Sequence, residues 1–504
     1  MNEKRLTKKQ MWIFAVGQLG WSILGGIINA WLVTFYLISD DTHNSGVEFM
    51  IPSGLIVGGF LTVIGLITFC CRLWDAVSDP LIANFSDNSK NKKGRRMPFM
   101  RFAAIPFALV TVLVFCATFT NSDGTGNFAL NIVLLSIFLV LFYTFMTIYC
   151  TPYNALISEF GKTQQDRMNI STYISLTYFA GTLLAYTPFV FGGILPFGYY
   201  WNYRVCFIVL AVIAAICMML PTFLIKETDY VEAKPAGTNA FKSLKSTFKN
   251  KDFRVFTGSD IMYWIGLTLF QTGLPFFVTV SMELDASYTM IFMGAMTVLS
   301  ACFYPFVDKM VKKFGKKKLV ITGFLGLALA YLITAMINII TAIPGIVYGI
   351  VIVVIAAVPM ALLGIIPQSI VADVAEAESI TTGENRQGMF FAARTFAMKL
   401  GQSIAMLAFT SLAILGEKQD LSANDISAST TGLMIVAFVA VVFCCLGALI
   451  LMFYREKKIM TLIAKEGDEA YLNAIENQHD LGEDNKADAP LDEAKEEAQP
   501  EEEK

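Results

Sequence analysis

Asn88-Ser89-Lys90-Asn91-Lys92-Lys93-Gly94-Arg95-Arg96 decides how this chain is organised, because Asp308-Lys309-Met310-Val311-Lys312-Lys313-Phe314-Gly315-Lys316-Lys317 repeats its plan. Each is a basic run around a glycine, set between two long apolar segments. A bilayer-crossing helix needs about 20 predominantly apolar residues. About twelve such segments occur, centred near residues 25, 68, 110, 142, 180, 214, 268, 296, 330, 358, 400 and 443. The first basic run follows the second segment and its echo follows the eighth, which suggests two units of six helices, as in duplicated carriers with a site between their halves, against the alternative of two topogenic loops that happen to look alike.

Composition agrees. Of the 504 residues, 55% are hydrophobic and 16% charged, too apolar for an ordinary soluble surface. The expected class is an all-α membrane protein with about twelve transmembrane helices. Lysine and arginine collect in cytoplasmic loops. If both termini and alternate loops share one side, only Arg204 and Lys418 fall in the opposite loops, and Arg72, Arg394 and Lys399 lie within spans. An error of one span would scramble that alternation, so both termini are expected in the cytoplasm. The first span, from about Met11 to Ile38, is too long for a signal-peptide core and has no small-residue cleavage site. The expected units are a six-helix bundle over 1–226, a central linker over 227–251, a second bundle over 252–458 and a tail over 459–504.

The net charge of −3 hides an asymmetry: residues 466–504 hold 15 acidic residues against three lysines, the mark of a solvated, disordered extension. All nine cysteines lie in apolar stretches and read as small buried hydrophobes rather than a disulfide framework. His43 and His479 are the two histidines, so neither a zinc enzyme nor a histidine proton relay inside the bilayer is expected. No enzymatic activity, cofactor or nucleic-acid partner is indicated; lipid surrounds the spans.

Charges inside spans are costly and mark function by default. In Arg72-Leu73-Trp74-Asp75-Ala76-Val77-Ser78-Asp79-Pro80, the residues Arg72, Asp75 and Asp79 fall within about 60° of one another on a helix. One guanidinium neutralises one carboxylate, leaving a net −1 that suits a monovalent cation. Na⁺ would take Asp75, Asp79 and the Ser78 hydroxyl as oxygen ligands, and H⁺ would serve equally, since close carboxylates in low dielectric hold a proton. A purely structural ion network is the competing reading. Lys399, midway along the eleventh span, is too deep to snorkel and is expected to bridge to Asp75 or Asp79 and couple the halves, with Thr395 one turn earlier on its face. Asp373, with Glu376 and Glu378 at the cytoplasmic end of the tenth span, reads as gating; Asp260 is undecided. Tyr149, Tyr153, Trp21, Tyr263 and Trp264 offer rings for a sugar, against a packing role for each.

The motif Arg72-x-x-Asp75-x-x-Ser78-Asp79-Pro80 with Gly94-Arg95, and later Asp373-x-x-Glu376-x-Glu378, Thr382-Gly383, Arg386, Gly388 and Lys399-x-Gly401, resembles the melibiose permease-like glycoside-pentoside-hexuronide:cation symporters. The resemblance runs to about residue 458 and implies a major facilitator fold. It implies a cation site at Asp75, Asp79 and Ser78, coupling through Arg72 and Lys399, and sugar contacts at Thr395 and Lys399. It further implies gating roles for Gly94, Arg95, Arg96, Arg167, Asp308, Gly315, Asp373 and Arg386. This chain departs from the family where Gln18-Leu19 replaces a lysine-aspartate pair, Cys150 and Asn154 replace an aspartate and a tryptophan, Ser175 replaces an arginine and Gly364 a tryptophan. Those missing groups would grip galactoside hydroxyls. Gln18, Asn154, Tyr149, Thr395 and Lys399 remain as the expected substrate path.

The expected function is a Na⁺- or H⁺-coupled plasma-membrane symporter importing a sugar or glycoside by alternating access. The alternatives are a carrier of an amphipathic or anionic solute, such as a lysolipid-like molecule or organic acid, an exporter, and a non-transporting receptor or scaffold. Cysteine-accessibility labelling on intact cells is expected to find positions near 45, 124 and 424 outside and those near 92, 240 and 315 inside. A swap of sides at any of them overturns the two-unit reading.

Overall fold

The computed structural model describes residues 5–38, 43, 45–87, 89, 91, 93–122, 125–161, 164–230, 247–340, 342–382, 387–416 and 427–463. The acidic tail beyond 463 and most of the central linker lie outside them. Among the described residues are twelve helices of 20 residues or more: α1 (Lys8–Tyr36), α2 (Val63–Asp87), α3 (Met97–Cys116), α4 (Phe128–Phe160), α5 (Gln164–Leu184), α6 (Tyr199–Leu224), α7 (Lys251–Phe276), α8 (Tyr288–Phe314), α9 (Lys316–Met336), α10 (Gly345–Thr382), α11 (Gln387–Leu412) and α12 (Thr430–Leu451). A short helix, α13 (Glu456–Ile463), follows.

Ten of the twelve are long and apolar enough to cross a bilayer; α2 and α11 are not. Their charges, Arg72, Asp75 and Asp79 on one and Arg394 and Lys399 on the other, lower their hydropathy. Neither is a lone helix in lipid: α2 packs along α11, and α1 packs on α7, so the two helices that fall short as spans cover each other across the junction of the halves. Gly65 permits that approach, because a side-chain carbon there would collide with the Thr410 hydroxyl. Inside the first half, Gly20 and Gly181 play the same part, where a Cβ would sit 2.5 Å from the Ala214 carbonyl oxygen and 2.7 Å from that of Leu19.

The repeat in the sequence has a structural counterpart. Gly94 and Gly315 both adopt positive φ, +117° and +78°, a conformation that favours glycine. Just after Gly94, the backbone N–H groups of Arg95, Arg96 and Met97 donate to the buried Glu227 carboxylate at 2.8 to 3.0 Å. Just after Gly315, those of Lys316 and Lys317 donate to the buried Glu456 at 2.7 and 3.1 Å. Each glutamate follows the last long helix of its half and caps the third, satisfying N–H groups a helix start leaves open. The side chains match too: Arg95 and Arg96 pair with Glu159 at the end of α4, and Lys316 pairs with Asp373 in α10 at 2.5 Å. Helices α4 and α10, with 33 and 38 residues, are longer than a span requires, and the excess brings these acids to the basic loops.

The first half extends past the boundary expected at 226. Glu227 is buried in it, and Tyr230 accepts a hydrogen bond from Gln10 at 2.8 Å and sits 6.1 Å from the Phe160 ring. Replacing Glu227 with Ala is expected to strand three backbone donors and lower stability by about 2 kcal/mol, with Glu227→Gln losing less. Thermal unfolding of the purified protein in detergent measures both, and an unchanged midpoint for Glu227→Ala contradicts the capping role.

Candidate functional site

Asp75 and Asp79 stand one turn apart on the face of α2 that meets α11, and Lys399 reaches both. Its ammonium lies 2.8 Å from Asp75 Oδ1 and 2.6 Å from Asp79 Oδ2, with the Asp75 carbonyl oxygen at 3.3 Å. The Asp75 side chain is fully buried and that of Lys399 8% exposed, whereas Asp79 is 25% exposed. The pair thus has a sealed carboxylate and an accessible one.

Arg72 braces the sealed side. Its Nη2 donates to Asn29 Oδ1 of α1 at 2.6 Å and its Nη1 to Gln402 Oε1 of α11 at 3.1 Å, while Asp75 Oδ2 lies 3.9 Å away. The guanidinium carbon also stands 4.9 Å from the centre of the Tyr143 ring. Asp75 Oδ2 accepts no hydrogen bond from the protein. Two guanidinium and ammonium charges face two carboxylates, so the four groups sum to zero. The net −1 expected from Arg72, Asp75 and Asp79 alone is cancelled by Lys399.

The hydroxyls differ from expectation. Ser78 turns to its own helix: its Oγ donates to the Asp75 carbonyl oxygen at 3.0 Å, the i−3 bond open to any helical serine, and touches Thr147 Oγ1 at 3.2 Å. The hydroxyls on the carboxylates come from α4, Thr147 donating to Asp75 Oδ1 at 3.0 Å and Thr151 to Asp79 Oδ1 at 3.3 Å. Sequence reading passed over both threonines; their i, i+4 spacing within the fourth span was the available signal. Pro80, directly after Asp79, removes one rung of the α2 ladder at this point.

On the side of this cluster nearer the basic loops the polar residues are open. Asn154, Ser171, Thr172 and Ser175 are exposed on α4 and α5, Thr395 is partly so, and a Cβ at Gly25 or Gly364 would meet nothing within 4 Å. The other expected substrate residues lie elsewhere. Gln18 is buried and donates to Ser22 Oγ at 2.8 Å, and Tyr149 is buried with its hydroxyl on the Met218 carbonyl oxygen at 3.0 Å, turned to α6 instead of the open face. Of the expected gating residues, Gly94, Arg95, Arg96, Gly315 and Asp373 belong to the paired capping arrangements. The Arg167 and Asp308 side chains, and Arg386 entirely, lie outside the described residues. A second charged pair, missed in the sequence, joins Asp260 of α7 to Arg394 of α11 at 2.9 and 3.1 Å.

Comparison with known proteins supports the same fold. An uncharacterized symporter of Bacillus subtilis strain 168, YjmB, is 24% identical over 439 residues, 82% of this chain and 85% of that protein. The putative glycoside/cation symporter YagG of Escherichia coli K12 is 26% identical over 206 residues, 40% of this chain and 42% of its own. Among solved structures, the crystal structure of a D-xylose-proton symporter superposes with a TM-score of 0.62 at 17% identity, covering 89% of this chain and 98% of that one, which shows the fold alone. The family model described as MFS/sugar transport protein matches residues 13–457. With twelve long helices in two capped halves and that match over most of its length, the chain is a multi-pass membrane transporter, not an enzyme, and belongs to the MFS/sugar transport protein family.

Proposed function

We propose that this protein is a cation-coupled symporter that imports a sugar or glycoside across the plasma membrane by alternating access, with both termini in the cytoplasm. The observation that carries the reading is the Lys399 ammonium held by Asp75 and Asp79 across the junction of the halves. Lys399 has two carboxylates within reach, one sealed and one accessible from the open side, so it can release one and keep the other. An arriving Na⁺ or H⁺ takes Asp79, where the Thr151 hydroxyl offers a further oxygen, and Lys399 stays with the sealed Asp75. The cation thereby weakens one of the two ionic links between α2 and α11. That change in inter-half attraction is the differential contact on which coupling depends.

In this reading Arg72 fixes Asp75 from behind, and Asn154 and Thr395 belong to the substrate path. The capped basic loops of Gly94, Arg95 and Arg96 and of Gly315, with Asp373 as partner, keep the cytoplasmic end of each half rigid as the gate opens and closes; Arg167, Asp308 and Arg386 are assigned to the same gate. The family description supports a sugar as cargo, and the name of the Escherichia coli relative supports a glycoside with a cation.

The test is uptake into proteoliposomes with imposed Na⁺ or H⁺ gradients. Removing either carboxylate takes away a charge that a cation in low dielectric needs to offset its lost hydration. Asp79→Asn and Asp75→Asn are expected to weaken cation dependence tenfold or more and to abolish concentrative uptake. Exchange of substrate down its own gradient persists in Asp79→Asn, whose sealed Asp75–Lys399 link is intact. Unchanged cation dependence in both variants, with thermal stability retained, returns the cluster to a structural role.

A further inference from the structure

The coupling cluster leaves one buried charged pair without a use. Asp260 of α7 and Arg394 of α11 form a two-point bond, Nε to Oδ2 at 2.9 Å and Nη2 to Oδ1 at 3.1 Å. The Asp260 side chain is 1% exposed and that of Arg394 11%, and Nη1 of Arg394 takes no part in the bond. Both residues belong to the same half, so the pair does not hold the halves together. Burying two charges where an apolar contact would serve is weak evidence of a stabilising role.

Its surroundings suit a polyhydroxylated ring. Tyr263, one turn beyond Asp260 on α7, is buried, and its ring centre lies 5.3 Å from that of Trp264. The Trp264 indole N–H has no partner. Trp264 leans on α11 at Gly401, where an added Cβ would lie 3.2 Å from the Trp264 Cβ, so these rings stand near the level of Lys399. On α11 Thr395 points between Arg394 and Lys399, about 100° from one and about 40° from the other. Thr395, partly exposed, thus lies on α11 between the pair and the coupling cluster.

We infer that the Asp260–Arg394 pair, with Tyr263 and Trp264 beside it, is the subsite that grips the hydroxyls of a neutral sugar ring, and that the cargo is therefore a neutral glycoside and not a uronide or other organic anion. This rests on the transport reading above and deepens it. Vicinal hydroxyls donate to the carboxylate and accept from the guanidinium, while the apolar ring face lies on the aromatics. The pair has no net charge, so a carboxylate on the cargo would bring a second anion against Asp260 in low dielectric. The two cations of the coupling cluster are engaged elsewhere. Lys399 is bound by Asp75 and Asp79, and Arg72 by Asn29, Gln402 and Asp75.

The experiment uses the full chain in proteoliposomes with radiolabelled methyl glycosides of glucose, galactose and xylose, methyl glucuronide and a lysophospholipid. The wild type is expected to take up at least one neutral glycoside and to discriminate against methyl glucuronide more than tenfold. Asp260→Asn and Arg394→Gln are each expected to weaken apparent affinity for that glycoside tenfold or more while the residual uptake keeps its cation dependence. The exchanged double variant, Asp260→Arg with Arg394→Asp, is expected to regain the thermal stability lost in the single variants but not the affinity, because a structural pair tolerates exchange and an oriented subsite does not. Restored affinity in the double variant, unaltered affinity in Asp260→Asn, or preference for the glucuronide overturns the inference and leaves the transport reading standing. A wild type that carries none of the sugars, or carries the lysophospholipid in their place, overturns both.

Discussion

An ammonium in the middle of a membrane span must be neutralised by something, and in this protein the something belongs to the other half. Lys399 on α11 is held by Asp75 and Asp79 on α2, and removal of one partner from a buried pair costs about 3–5 kcal/mol. The rest of the arrangement follows. The two helices that fall short as spans pack on each other, so α2 and α11 form a seam between the halves; Gly65 lets them approach, Asn29 and Gln402 hold Arg72, and Thr147 and Thr151 each donate to one carboxylate. A carrier needs its halves joined firmly enough to form one molecule and loosely enough to rock. In the transport reading, an ionic link weakened by the incoming cation meets both needs.

The basic loops meet the complementary need for rigidity within each half. Glu227 and Glu456 close the start of α3 and α9, and Glu159 and Asp373 hold the adjacent basic side chains. These contacts lie inside a half and survive any rocking of one against the other. The molecule therefore has stiff ends within each half and its adjustable ionic contact at the junction, a division that suits rigid-body alternating access.

Much of this was legible in the sequence, for stated physical reasons. Apolar runs of membrane length and the one-sided distribution of lysine and arginine carry the helix count and the two-unit plan, and the expense of a charge in lipid singles out Arg72, Asp75, Asp79 and Lys399. Other features were not legible. A threonine in a span costs little, so Thr147 and Thr151 leave no trace in hydropathy although each donates to one of the carboxylates. Helical spacing places Ser78 beside Asp79 but says nothing of the competing bond to its own backbone. Tyr149 reads as a sugar-stacking ring until its hydroxyl is seen to be used by the Met218 carbonyl. Glu227 falls in what reads as linker, because a capping carboxylate is defined by the backbone it meets and not by its neighbours in sequence.

The central claim is that Lys399 occupies, as a tethered charge, the place for which the coupling cation competes. Titration calorimetry of Na⁺, and of protons by their effect on it, on the purified wild type and on Lys399→Gln protein of matched thermal stability tests this directly. Without the tethered ammonium the cluster carries a net −1, and cation affinity is expected to rise tenfold or more even as coupled uptake is lost. Unchanged or weaker cation binding in Lys399→Gln would contradict the account.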